Sequence, residues 1–252
     1  MFRPHVLLLA TGFCVLGGLA VCAQDNTELK AILKKSIDAH GGEKQLAKFK
    51  AVNTKFKGTM EIMNNKVDVV GDTLLQRPDK VRNLLKLDFN GKQIDILTVF
   101  TGKKLWVNAA GQTREIDDPK ILDAARDEMK AEVGGHMMDY LKPPYELNAI
   151  GQVKVRGKDT IGIRISKKGQ KDFSMFFDKK TFLLAKTEMR TLDAGTGQEV
   201  TQEKFVLEYQ DKDGMKIAKR VEIQKDGKTF MDIEITEIRA LESIDEAMFM
   251  RP

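Results

Sequence analysis

Hydrophobic positions along the chain follow two periods in turn. Between Asp25 and Phe49, Leu29, Ile32, Leu33, Ile37 and Leu46 fall near one face of a helix, with Lys30, Lys34, Lys35 and Asp38 elsewhere. Gly41-Gly42 marks a break, with a short second helix through Phe49. The period then becomes two. Val52, Thr54, Phe56, Gly58, Met60 and Ile62 alternate with Asn53, Lys55, Lys57, Thr59 and Glu61, a half-buried antiparallel strand. Asn64-Asn65 turns the chain into Val67 to Gln76, and Arg77-Pro78-Asp79 ends that strand. Val81 to Phe89, Asn90-Gly91 and Gln93 to Phe100 form a hairpin signature. Lys104 to Asn108 and Thr113 to Ile116 complete a meander.

A second helix opens at Asp118, an N-cap, with Pro119 at the first helical position. Ile121, Ala125, Met129, Val133 and Met137 recur at every fourth residue, joined by Leu122 and Leu141. Gly134-Gly135 bends or ends this segment, and Pro143-Pro144 stops it. Strand grammar then resumes in 145–155, 160–166, 173–178, 183–192, 199–210, 215–224 and 229–239. Glycine-bearing turns separate these segments, including Gly195-Thr196-Gly197 and Asp213-Gly214. About eleven antiparallel strands in one sheet must curl. Several strands are apolar on both faces: Ile94, Ile96 and Phe100 oppose Leu97 and Val99. The predicted class is α+β, a single large curved antiparallel β-sheet with helices over its concave face. An outer-membrane barrel fits less well, since it wants aromatic girdles and no helical cover.

The first residues carry a processing signal. Arg3 gives a positive start, apolar runs follow at 6–9 and 13–19, and no acidic residue appears before Asp25. Val21 and Ala23 are small residues at the −3 and −1 positions of a cleavage site before Gln24. Residues 1–23 are therefore expected to be a signal peptide, leaving one domain, 24–252, in the periplasm or cell envelope. Leu19-Ala20-Val21-Cys22 offers an alternative, a lipid anchor on Cys22, but such boxes prefer a smaller residue where Val21 stands. Cleavage removes Cys14 and Cys22, the chain's two cysteines. The remainder holds no disulfide or thiolate site, and its core must stabilise it alone.

Composition narrows function mainly by exclusion. The 252 residues are 42% hydrophobic and 31% charged, with a formal net charge of +5. This mild basicity does not indicate nucleic acid, and no basic stripe with interleaved aromatics exists. The lysine pairs at 34–35, 103–104, 167–168 and 179–180 read as solvated surface or as a peripheral contact with an anionic membrane. His40 and His136 each lack a second histidine or cysteine nearby, so neither reads as a metal ligand or acid–base group. There is no G-x-S-x-G elbow, H-E-x-x-H helix or P-loop. The expectation is no enzyme, no metal and no cofactor. Met129, Met137 and Met138, flexible and polarizable, suit either plain core packing or a lid over varied apolar ligands.

Two motifs add a resemblance. The run Gly71-Asp72-Thr73-Leu74-Leu75-Gln76-Arg77-Pro78-Asp79-Lys80-Val81-Arg82, followed by Gly102-Lys103-Lys104-Leu105-Trp106-Val107, resembles the core of the LolA-like family. So does Phe177-Asp178-Lys179-Lys180-Thr181-Phe182-Leu183-Leu184-Ala185-Lys186. These are periplasmic carriers that take lipoproteins towards the outer membrane. The resemblance implies an unclosed half-barrel with a helical lid, holding acyl chains in an apolar hollow. It implies partners of lipoprotein or lipid acyl chains, an inner-membrane donor and an outer-membrane acceptor. It assigns Arg77 to holding and opening the lid. It aligns Val81 with the family's hollow-facing aromatic, a departure that bears on lipoprotein handover, and Trp106 with the family's tryptophan, a packing residue. The expected ligand-binding set is Arg77, Val81, Trp106, Met129, Val133 and Met137. Bottom-up, Arg77 reads equally as a rim arginine, and Val81 and Trp106 as core. The competing function is a structural, interaction or envelope-sensing module of the same fold without bound lipid.

Overall fold

The computed structural model describes residues 26–89, 91–131, 137–193 and 196–252. The expected signal peptide, Val133 and His136 therefore lie outside the described residues. Two antiparallel meanders carry most of the chain. The first is β1 (Ala51–Ile62), β2 (Asn65–Gln76), β3 (Lys80–Phe89), β4 (Lys92–Phe100), β5 (Leu105–Ala109) and β6 (Gln112–Ile116). The second is β7 (Glu146–Val155), β8 (Lys158–Ser166), β9 (Phe173–Asp178), β10 (Leu184–Leu192), β11 (Glu199–Lys212), β12 (Met215–Lys225) and β13 (Lys228–Leu241). Every predicted strand is present. The total is thirteen, one for each segment the alternation marks, rather than the round figure of about eleven.

The meanders join at their outer members, β1 against β13, giving one sheet in the order β6-β5-β4-β3-β2-β1-β13-β12-β11-β10-β9-β8-β7. Thr54 faces Ile238 and Met60 faces Met231 across this seam. The sheet does not close, since β6 and β7 remain its two edges. Each strand step twists by roughly 20–25°, so thirteen strands turn through well over 180°. Register shifts in β1–β13, β7–β8 and β11–β12 add local coiling. The result is an unclosed half-barrel.

This topology dictates where the helices lie. β6 and β7 are at opposite edges, so residues 117–145 must cross the sheet. They do so with α1 and α2 on the concave side. α1 (Asn26–Ala39) buries Leu29, Ile32, Leu33 and Ile37 against Ile163, Met175 and Phe177. Its end is made by Gly41 and Gly42, at φ 117° and 80°, which fold the Gly42 amide back onto the Ile37 carbonyl at 2.9 Å. α2 (Glu43–Leu46) follows. α3 (Pro119–Ala131) starts as predicted: the Lys120 amide donates to Asp118 Oδ1 at 2.8 Å. The β1–β2 turn is centred on Met63-Asn64, both at positive φ, one residue earlier than the Asn64-Asn65 expected.

Candidate functional site: a strapped half-barrel with an open apolar trough

The helix α3 seats its apolar stripe, Ile121, Leu122, Ala125 and Met129, on Phe100, Leu105, Leu75 and Val81. Three polar ties fasten this strap. Arg126 Nε donates to the Gly102 carbonyl in the β4–β5 turn at 2.8 Å. Thr191 Oγ1, far away on β10, donates to Glu128 Oε1 at 3.2 Å. Beyond the helix, the Arg77 guanidinium at the end of β2 is ion-paired with Asp139 in a 3₁₀ turn, Asp139–Leu141. The strap therefore bridges both meanders. Gly102 matters to this arrangement: it sits at φ 78°, and a Cβ there would lie 2.1 Å from Asp79 Oδ2.

Under the strap lies a cleft of about 530 Å³ lined by Lys50, Arg77, Pro78, Asp79, Arg126, Met129, Asp139, Tyr145 and Lys167. Four cations face two carboxylates there, and Met129, Pro78 and the Tyr145 ring supply apolar wall. Lys167 Nζ stands 5.2 Å from the Tyr145 ring centroid. Burial pushes the Tyr145 phenol upward in pKa, and the Asp139 carboxylate adds to the rise.

Among the described residues, the strap covers only part of the concave face. Cross-strand partners share a face, and faces alternate residue by residue. Leu75, Val81 and Phe100 are mutual partners under α3, so the face continues through Val69 on β2, Leu85 and Leu87 on β3, and Ile94 and Ile96 on β4. These residues gather with Phe56, Met60, Val67, Met231 and Ile233 into one apolar cluster drawn only from strands. Among the described residues, no helix contributes to it. Leu85, Phe89, Ile94, Ile96, Ile223 and Ile233 remain half-exposed. Phe56 does not stand up into this trough. Its ring leans over β2 at Gly71, where a Cβ would meet Phe56 Cζ at 2.0 Å.

The expected site residues separate. Arg77, Val81 and Met129 come together at the strap, with Met129 only 5% exposed. Met137 lies beyond α3, 1% exposed in the core beneath α1. Its Sδ accepts from Ser36 Oγ at 3.6 Å. Trp106 packs, as the resemblance implied, away from the strap. It partners Val99, one residue out of phase with Phe100, and so faces the convex side. There it packs with Ile244 and Phe249 of the C-terminal segment, and its Nε1–H donates to Glu115 Oε2 at 3.0 Å. That bond holds the Glu115 carboxyl below its ordinary pKa.

Sequence reasoning missed Asp139, Thr191 and most trough residues. The alternation of Leu85, Leu87 and Phe89 against Leu84 and Lys86 was visible, but its facing side depended on α3. His40 is buried, with Nδ1 2.7 Å from the Ser36 carbonyl and Nε2 3.2 Å from Tyr209 Oη. Ser36 Oγ approaches the ring at 3.4 Å, yet Ser36 is fully buried and its hydroxyl faces Met137, so the pair packs rather than reacts. No group of three or more potential metal ligands occurs among the described residues. Among them also, no helix is long and apolar enough to cross a membrane.

This is the LolA-like fold. A DUF1329-family protein from Desulfovibrio piger superposes with a TM-score of 0.56 at 14% identity, over 90% of this chain and 98% of that one. A domain assigned to outer-membrane lipoprotein sorting from Vibrio parahaemolyticus gives 0.53 at 11%, over 89% and 97%. A LolA superfamily protein from Nitrosomonas europaea gives 0.51 at 11%, over 88% and 97%. These likenesses establish architecture. By sequence, no protein-family model and no curated protein matches the chain.

Proposed function

We propose that this protein is an exported, non-enzymatic carrier or binder of lipidated proteins or lipids in the cell envelope. The observation that carries the reading is the strand-only apolar trough, half-exposed and without a described helix over it. Partly exposed apolar residues gathered on a concave face suit an apolar ligand. Each methylene moved from water into such a trough contributes about 0.8 kcal/mol, so a long chain is held without polar chemistry. The fold it shares with a lipoprotein-sorting domain supports the same reading. In this scheme α3 is the lid, with its Met129 resting on Val81 and Arg77 its latch to Asp139. Cargo would come from an inner-membrane donor and leave to an outer-membrane acceptor, with the mild positive charge favouring peripheral contact with anionic membrane.

The test is mass spectrometry of lipids and lipoproteins co-purifying with the protein from an envelope fraction, paired with uptake of a fluorescent fatty acid. Acyl species bound stoichiometrically are expected. A lipid-free preparation that takes up no probe would leave the structural or sensing module as the better description.

A further inference from the structure

The concave floor is not uniformly apolar. Between the residues seated under α3 and those of the trough runs a row of polar side chains, one per strand: Thr54, Thr73, Asn83 and Thr98. They are direct cross-strand partners in that order, Thr54 with Thr73, Thr73 with Asn83, and Asn83 with Thr98. Thr73, Asn83 and Thr98 each lie two residues from a strap-seat residue (Leu75, Val81 and Phe100), and Thr54 lies two from Val52, the cross-strand partner of Leu75, so all four face the hollow. All four are half-buried. Hydroxyl and amide groups at such a level in an apolar floor need hydrogen-bond partners.

Within the row, only one bond forms: Thr73 Oγ1 donates to Asn83 Oδ1 at 2.9 Å. Asn83 has an amide group with two further donors, and Thr54 and Thr98 each have a hydroxyl. Among the described residues these donors meet no protein acceptor. By register they stand on the face that lines the hollow. Carbonyl oxygen is the complementary group.

The row is also neutral. Beyond Thr98 the nearest cation on the same level is Arg114, reached through Val107, two strands away and about 10 Å off at ordinary strand spacing; at the other end Lys212 Nζ is held by the carbonyl of Ile238, the partner of Thr54 and three strands from Asn83. A carboxylate at Asn83 and Thr98 would lack a counter-charge, whereas an ester carbonyl requires none. From Asn83 to Phe89 the floor runs about 20 Å at the strand rise, room for a long extended acyl chain. Leu85, Leu87, Ile94 and Ile96 line that path.

We infer that Thr54, Thr73, Asn83 and Thr98 form the recognition row for the ester carbonyl of an acyl chain, whose methylenes lie along the trough. This rests on the carrier reading and adds to it a ligand class, ester-linked chains, with a fixed orientation. The ester end lies toward α3 and the methyl end toward the β3–β4 turn.

The test is displacement of the apolar dye 1-N-phenylnaphthylamine from the purified protein by methyl palmitate, palmitic acid and hexadecane. The native protein is expected to prefer methyl palmitate over both others. In an Asn83→Leu/Thr98→Val double variant, affinity for methyl palmitate falls about tenfold, the scale of one buried hydrogen bond, while hexadecane is unchanged. Thr98→Val alone, nearly isosteric, serves if the double variant fails to fold, with a smaller shift in the same direction. If methyl palmitate and hexadecane change together or not at all, the row is not the recognition element, although the trough still binds. Tighter binding of palmitic acid than its ester overturns the ester assignment. If the native protein binds neither dye nor any of the three, the carrier reading itself falls, and this inference with it.

Discussion

The ion pair between Arg77 and Asp139 is the tie that joins the β2–β3 turn to the segment following the lid helix, so its removal is the sharpest mechanical perturbation. Arg77 has a side chain 20% exposed and Asp139 one 49% exposed. Exposed ion pairs contribute about 0.2–1 kcal/mol, and the partly buried guanidinium puts this pair near the upper end, about 1 kcal/mol. That amount corresponds to about a fivefold change in a local opening equilibrium. An Arg77→Leu variant should therefore leave the thirteen-stranded sheet intact and open the strap about five times more often. Native-state amide hydrogen exchange reads this directly. Residues 137–142 and the described part of α3 should exchange about fivefold faster, with amides of β1, β12 and β13 unchanged. High salt should move the native protein toward the variant, because screening weakens the pair. Uniform acceleration across the sheet, or no acceleration at 137–142, would refute the latch.

Three further outcomes are expected. Trp106→Ala should destabilise the fold by about 3–5 kcal/mol in denaturant titration, as large buried aromatics do, without weakening acyl-probe affinity, since Trp106 faces the convex side; a specific loss of binding would put it back in the site. Gly71→Ala places a Cβ 2.0 Å from the Phe56 ring, lifting that ring into the trough, so probe affinity should drop and stability fall by about 1–3 kcal/mol; unchanged affinity would mean the trough is not where the chain lies. Burial lowers the pKa of His40, only partly offset by the Ser36 carbonyl. The unfolded chain thus takes up the proton first, and this contribution to stability should be lost as pH falls below about 6.5. The difference in unfolding free energy between native protein and His40→Gln, followed from pH 7.5 to 5, should shrink on acidification, and a constant difference would contradict it.

Much of this architecture was legible in the residue pattern. Period-two alternation and turn chemistry located every strand, because a strand's pleat and a hairpin's positive-φ pair are local requirements. Phe173–Asp178 is the predicted segment unchanged. The same local logic located α3 through its Asp118 cap. The site was less legible. Val81 and Met129 meet under the strap, a contact that no spacing predicts, and Met137 continues a four-residue period on paper but stands in a turn.

What the sequence determined alone was the inventory: which segments pair, which helices are amphipathic, and that strands such as β4 carry apolar residues on both faces. What only the tertiary structure decided was which of those faces is inside. Val99 and Phe100 are neighbours of similar hydrophobicity, yet one packs with Trp106 outside and the other beneath α3. That choice follows from the β1–β13 seam, which pairs residues more than 170 positions apart, and from a crossing that must run between opposite edges. Local propensity carries no information about either, because both arise from the accumulated twist of the whole sheet.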